Sequence, residues 1–346
     1  MQTALVTGGT GFIGTFLAKK LLKLGWKVNI IDIRNTQDMF IKKRCNIFIN
    51  DVNKINYKHK CFRNVSIIFH FAAIPSISRK NKKNFIKNNL EATKNLIKCA
   101  KKLNIKKFIY SSSSTVYGIP KKFPLTEKDA GNVIGFYGYS KFLAEKLLLK
   151  SSSKNFIVSI LRPRVVIGPG RLGIFEILFK RMRNNQNIYL IGNGSNYFQF
   201  TNIHDFVDAS IKCIKTRKSL VINIGSNDLI TNYALLNSLK LKIKSKSVII
   251  KTPAIIVKLI LSILEMVKLS PLTKEQYAIA DKNFFLDTKT AREELGWNSK
   301  YSTVKTLINS YNWFKKNIHS NNYQTNMFGI FTSFKNYHQS GFQKLD

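Results

Sequence analysis

The stretch "ALVTGGTGFIGTFLAKKL" (residues 4–21) places four glycines within seven residues, between an apolar run and a helical pattern. Ala4, Leu5 and Val6 read as a short buried strand. From Phe12 onward, Ile13, Phe16, Leu17, Leu21 and Leu22 recur at helical spacing, and Gly25 supplies a stop. Gly8, Gly9, Gly11 and Gly14 therefore occupy a strand-to-helix turn, where a missing Cβ lets another group approach closely. The N–H groups and partial positive charge of a helix N-terminus suit a phosphate. A tight turn without a ligand is the competing reading, and only the rest of the chain can decide between them.

Working outward, "KVNIIDI" (27–33), "CNIFIND" (45–51), "VSIIFHFAA" (65–73), "KKFIYSSSS" (106–114) and "FIVSILRPRVVIG" (156–168) read as strands, and residues 83–103 and 137–152 as helices. This alternation predicts an α/β fold, a Rossmann-type doubly wound parallel sheet covered on both faces, with ligands beyond the carboxyl ends of the strands. Residues 1–168 form the dinucleotide-binding domain in this reading. Beyond them, short strands are expected at 187–192, 198–203, 221–225 and 247–251, with helices at 204–216, 231–242, 253–269, 288–295 and 303–316. That mixture predicts a smaller mixed α/β substrate lobe over 169–316, with segments such as 204–226 returning to the first domain. Residues 317–346 are polar and aperiodic and read as a flexible tail.

The 346 residues, 44% hydrophobic and 22% charged, describe a globular protein. No basic segment followed by an apolar signal core opens the chain, and no apolar run reaches the roughly 18–20 residues of a membrane span. Cys45, Cys61, Cys99 and Cys213 lack metal or redox spacing, and the five histidines are scattered, so no metal site is expected and the setting reads as cytoplasmic. The net charge of +39 raises affinity for polyanions, yet only 11 of the 57 basic residues are arginine, and they are spread along the chain. A solvated lysine surface is the reading, not a specific nucleic-acid site.

Three further features turn the glycine turn into a chemical site. Asp32 ends the second strand at the distance where a carboxylate meets a ribose diol, which selects NAD over NADP; the neighbouring Arg34 is the one residue that would tolerate a 2′-phosphate. "SSSSTVYG" (111–118) ends another strand. "YGYSK" (137–141) opens a helix and sets Tyr137 and Lys141 on one face, four residues apart. A free phenol, with a pKa of about 10, is a poor base at neutral pH. A lysine one turn away, or a nicotinamide cation, stabilises the phenolate, and a serine hydroxyl can orient a substrate alcohol or carbonyl.

With these residues the chain resembles the extended short-chain dehydrogenase/reductase family, its NAD-dependent epimerases and dehydratases of nucleoside-diphosphate sugars. The resemblance runs over residues 3–316 and rests on "TGGTGFIG" (7–14), Asp32, "DV" (51–52), "HFAA" (70–73), "NLEATKNL" (89–96), "SSSSTVYG", "YGYSK", "LRP" (161–163), "NIGS" (223–226) and "ELGW" (294–297), in that order. It implies that Gly8, Gly11 and Gly14 hold the pyrophosphate with the N–H groups of Phe12 and Ile13. Asp32 and Arg34 flank the adenosine ribose, and Asp51 and Val52 the adenine. Phe71, Ala72 and Ala73 line the cofactor cleft, Asn89 supports it, and Pro163 lies beside the nicotinamide. Tyr137 is then the acid/base beside the cofactor, Lys141 tunes it and holds the nicotinamide ribose, and Ser113 is the third member. A homodimer through the helices at 83–103 and 137–152 is implied as well.

Two departures narrow the expectation. Dehydratases of the family carry an Asp-Glu pair before "VYG" and related decarboxylases keep the glutamate; here those positions are Ser114 and Thr115. Redox chemistry at a secondary alcohol remains, either C4 epimerisation through a transient ketone or net oxidation or reduction. The arginine that usually grips a nucleotide-sugar diphosphate is replaced by Phe198, so Arg164, Arg171, Arg181 and Arg183 are either a substitute anion site or a solvated edge. "TPAIIVKLILSILEMVKLSPL" (252–272) carries a narrow polar stripe of Lys258, Ser262, Glu265 and Lys268 on an apolar helix. It reads as lobe or dimer packing, or as an interfacial membrane contact or lid over a lipid-like substrate. A 3-beta-hydroxysteroid-dehydrogenase-like enzyme acting on a lipid or isoprenoid alcohol is the runner-up, and a non-catalytic dinucleotide-binding sensor the alternative of another class.

Overall fold

The computed structural model describes residues 2–75, 82–267 and 269–318, and the backbone of Tyr323–Thr325 and Thr332–Phe334, which pair as antiparallel strands. The remainder of the expected tail, and Lys268, lie outside the described residues.

Seven strands build the central sheet: β1 (Thr3–Thr7), β2 (Lys27–Asp32), β3 (Asn46–Ile49), β4 (Val65–His70), β5 (Lys107–Ser111), β6 (Ile157–Pro163) and β7 (Leu220–Ile224). Their spatial order is β7-β6-β5-β4-β1-β2-β3, and every pairing is parallel. Side chains alternate between two buried faces. Ala4 and Val6 join one core cluster with Phe16, Leu17 and Phe206, while Leu5 joins the other with Leu96, Ala144 and Leu148. A strand covered on both sides needs apolar residues at consecutive positions, which is why "ALV" runs unbroken. The chain leaves β1 toward β2 on one side and β4 on the other. That reversal opens a crevice beyond their carboxyl ends.

A third cluster, containing Phe179, Leu190, Leu235, Leu239, Leu307 and Phe314, forms the core of the second half. Its two-stranded sheets pair Val165–Ile167 with Phe200–Asn202, Ile188–Ile191 with Ile249–Thr252, and Tyr197–Phe198 with Ile230–Thr231.

Several expected elements differ in detail. The strand expected over 106–114 stops at Ser111, and residues 114–117 form a 3₁₀ turn capped by Ser113. The strand over 156–168 divides at Arg164, where Ile157–Pro163 stays in the central sheet and Val165–Ile167 pairs instead with Phe200–Asn202. The helix over 83–103 contains a π turn, Ile86–Glu91, ahead of Ala92–Lys102. The strand over 198–203 is two separate strands with different partners. Helices Met39–Arg44, Phe175–Arg183 and Lys274–Tyr277 had no counterpart in the sequence reading.

Candidate active site

The glycine turn is built for close approach. A Cβ at Gly8, whose φ is +69°, would sit 2.7 Å from the Ala72 nitrogen, and one at Gly14 would sit 2.2 Å from the Gly8 oxygen. Gly11 caps helix α1 (Phe12–Lys23) in extended conformation, with no side chain over the first-turn N–H groups. The Asp32 carboxylate is held at the same turn by the N–H groups of Thr10 (3.2 Å) and Arg34 (3.3 Å). Beside them opens a depression lined by Thr10, Gly11, Phe12, Thr15 and Asn35 to Asp38. Open helix-terminal donors and a fixed carboxylate fit a pyrophosphate and a ribose diol. Gly14→Ala is expected to destabilise the fold by about 1–3 kcal/mol and to abolish NAD binding, read by thermal melting and NAD titration; a variant with unchanged affinity contradicts this role.

Across the crevice a polar chain fixes the turn after β4. Thr93 donates its hydroxyl proton to the Asn89 carbonyl (2.6 Å), so its oxygen accepts from His70 Nε2 (3.0 Å). His70 Nδ1 is then the acceptor for the Thr7 hydroxyl at 2.7 Å. The Thr7 oxygen is left to take the N–H groups of Phe71 (3.2 Å) and Ala72 (3.1 Å). Burial lowers the His70 pKa to about 3, with Lys141 adding to the effect, so the ring stays neutral. Asn89 accepts from the Ile74 N–H and donates to Ser140, tying the π turn to the Tyr137 helix. At the expected adenine pair, Val52 faces the core and the Asp51 carboxylate caps its own turn through Asn53. Phe71 packs against Phe206 at 5.9 Å, Ala73 is exposed, and Pro163 ends β6 on the same edge of the sheet.

Helix α2 (Phe136–Ser151) brings Tyr137, Lys141 and Ser113 together. The Ser113 oxygen accepts from the Thr115 N–H (3.2 Å) and hydroxyl (3.0 Å). Both of its lone pairs are thereby filled, and its own proton is left for the Tyr137 phenol, with which it hydrogen-bonds. Burial raises the Tyr137 pKa to about 12, against the lowering influence of the Arg171 guanidinium and of Ser113; Glu275 adds to the rise. Lys141 is buried, donates to the Ser111 carbonyl at 2.7 Å, and lies 4.6 Å from the Tyr110 ring centre and 5.9 Å from that of Tyr137. Burial brings its pKa down to about 7, with Glu145 opposing. Ser114 is buried and Thr115 half-buried, so neither position offers an acid or a base.

Two functional neighbours escaped the sequence reading. Glu145 continues the Tyr137–Lys141 face at the next four-residue step, and that spacing is the signal that could have found it. Its carboxylate accepts from Ser112 and from Arg162 Nε (3.0 Å) and Nη2 (2.6 Å). Arg162 also donates to the Tyr117 hydroxyl at 3.0 Å, which in turn donates to Asn223 at 2.5 Å. Glu275 carried no comparable signal. Its carboxylate lies over Gly135, where a Cβ would come within 1.7 Å of Oε1, and it faces the Tyr137 and Gly138 N–H groups at the start of α2. Its Oε2 is buried without a partner.

Burial pushes the Glu275 carboxyl up to about 7, against the pull of those N–H groups. A folded-state pKa above the unfolded one gives stability that is complete at about pH 4 and is lost as the pH rises through 7. Glu275→Gln is therefore expected to melt at the wild-type temperature near pH 4 and above it at pH 8. Equal melting at pH 8 contradicts the assignment.

The candidate substrate residues divide. Arg164 is 6% exposed, lies 4.0 Å over the Phe284 ring and 5.2 Å from that of Phe198, and has no hydrogen-bond partner at Nε. Burial lowers its pKa to about 9. Arg171 lies 5.8 Å from the Phe12 ring, between the glycine turn and Tyr137. Arg181 instead holds the Asn187 carbonyl at 2.7 Å and covers Tyr189, so the four arginines do not form a single cluster.

Residues 4–225 match the model of the NAD dependent epimerase/dehydratase family, and the chain belongs to that family. It is an enzyme whose cofactor is NAD. Among curated relatives it is similar to the UDP-glucose 4-epimerase of Lactobacillus helveticus, 27% identical over 341 residues, spanning 90% of this chain and 96% of the other. It is also 31% identical over 211 residues to the Homo sapiens sterol-4-alpha-carboxylate 3-dehydrogenase, decarboxylating, spanning 60% of this chain and 56% of that one. The fold matches the crystal structure of UDP-glucose 4-epimerase from Thermotoga maritima with a TM-score of 0.75 at 24% identity, over 92% of this chain and 100% of that one.

Proposed function

We propose that the enzyme acts at a secondary alcohol of a nucleoside-diphosphate sugar, most simply as a C4 epimerase working through a transient ketone. The supporting observation is the hydroxyl relay: Thr115 fills both acceptors of Ser113, whose proton meets Tyr137, with no carboxylate at Ser114 or Thr115 to drive elimination. NAD, when bound, supplies the two-electron acceptor and donor. Gly8, Gly11, Gly14, Phe12 and Ile13 would hold its diphosphate and Asp32 its ribose. Tyr137 takes the proton from the substrate hydroxyl and returns it, Ser113 donates to the phenol oxygen and positions it, and Lys141 supports the phenolate. A buried arginine without a counter-ion is costly unless a ligand anion pairs with it, so Arg164, with Arg171, is assigned to the substrate diphosphate.

In this reading residues 1–168, with segments such as 204–226, carry the cofactor, and residues 169–316 mainly carry the substrate. A cytoplasmic homodimer through α2 and Ala92–Lys102 completes it. Incubating the purified protein with UDP- and dTDP-hexoses, and separately with sterol and polyprenol alcohols, tests the reading. Epimer formation without net NADH supports it. Turnover of the lipid alcohols alone overturns it in favour of a dehydrogenase, a reading that the partial likeness to the sterol enzyme favours.

A further inference from the structure

Helix α3 (Ala254–Met266) is inside out. Of its polar stripe, Lys258 and Glu265 are turned into the protein. Lys258 ion-pairs with Asp281 and donates to the Ala278 carbonyl at 3.1 Å. Glu265 accepts from the Lys274 N–H at 3.2 Å and the Tyr277 hydroxyl at 2.9 Å. Ile255, Ile256, Leu259, Ile260, Ile263 and Met266 face outward, each at least half exposed, with Ile255 at 85% and Met266 at 82%. Only Leu261 of this helix is buried. Soluble monomers rarely expose so continuous an apolar face unless something covers it.

Charge and area choose among the candidates for what covers it. The chain carries +39, and exposed lysines bracket the helix: Lys251 lies in the preceding strand and Lys274 opens the following helix. At this face the bracketing lysines oppose a second copy of the same face and favour an anionic partner. A thirteen-residue helix is about 20 Å long and about 10 Å wide, a face of a few hundred Å². That falls short of the roughly 800 Å² per partner of a stable protein interface. It is ample for a helix lying in a lipid headgroup layer, where each apolar side chain inserts separately and lysines meet anionic headgroups. Among the described residues no helix is long and apolar enough to cross a membrane, so the contact is along the surface.

We propose that the exposed face of α3 docks this enzyme onto an anionic lipid surface. The same helix reaches the active site. Through Glu265 it holds the Lys274–Tyr277 segment, whose Glu275 lies against the first turn of α2.

Vesicle sedimentation tests this with the whole chain. Wild type is expected to bind vesicles containing about one-third phosphatidylglycerol, to bind phosphatidylcholine vesicles at least tenfold more weakly, and to lose affinity at high salt. Ile255→Glu with Leu259→Glu should reduce binding at least tenfold while leaving NAD affinity unchanged. Ile260→Trp supplies a second readout that keeps the native face apolar: its emission should shift to the blue on adding the anionic vesicles. Three results overturn the proposal. One is absence of wild-type binding to anionic vesicles. Another is equal binding by the double-glutamate variant, which would make the attraction one of charge alone. The third is light scattering in which the variant disperses a wild-type dimer, which would give the face to a second copy.

Discussion

Tyr137→Phe is expected to lower kcat by about 10²–10⁴-fold, the range for loss of a positioned acid/base, while the melting temperature and NAD affinity stay at their wild-type values. The separation follows from what the phenol touches. Its hydroxyl meets Ser113 and feels Arg171, while its ring packs against Phe85 with centroids 6.2 Å apart. Phenylalanine keeps the ring contact and loses only the oxygen. Burial holds the phenol at a pKa of about 12, and the oxidised cofactor, when bound, would supply a positive charge that lowers it alongside Lys141. A variant with unchanged turnover would return the protein to the class of dinucleotide-binding sensors.

Glu145→Ala is expected to cost about 3–5 kcal/mol, because it leaves the Arg162 guanidinium buried without its carboxylate. The side chains of the pair are only 5% and 2% exposed, so bulk solvent does not reach the guanidinium to replace the two-pronged contact. The effect should extend to catalysis. Glu145 raises the Lys141 pKa against burial, so its loss lets Lys141 become neutral at a lower pH and withdraws support from the phenolate. Urea unfolding and a pH–rate profile read the two effects separately. Combining Glu145→Ala with Arg162→Met should cost less than Glu145→Ala alone, since the orphaned charge is then gone. Additive losses would show that the pair acts independently.

The parts legible in the sequence are those whose partners are near in the chain or repeat with a simple period. The glycine turn, Asp32 after β2, and the Tyr137–Lys141 pair depend on local geometry, and the structure gathers their strand ends at one edge of the sheet. Sheet strands covered on both faces announced themselves as apolar runs. What escaped depends on distant partners. Glu275 comes from a four-residue helix far along the chain, and only Gly135, with no side chain of its own, leaves room for it. Helix Phe175–Arg183 was hidden behind the glycines of 168–173, although Phe175, Phe179 and Met182 have helical spacing. The inversion of α3 could not be read either: periodicity locates a polar stripe but not which side of it meets the protein.

The most direct measurement of the central claim uses a UDP-hexose carrying deuterium at C4. Incubated with the NAD-loaded enzyme, it should yield the C4 epimer with the deuterium still at C4, no exchange with solvent and no accumulation of NADH. Accumulating NADH with a ketone as the final product, or recovery of the substrate unchanged beside turnover of a lipid alcohol, would contradict the account.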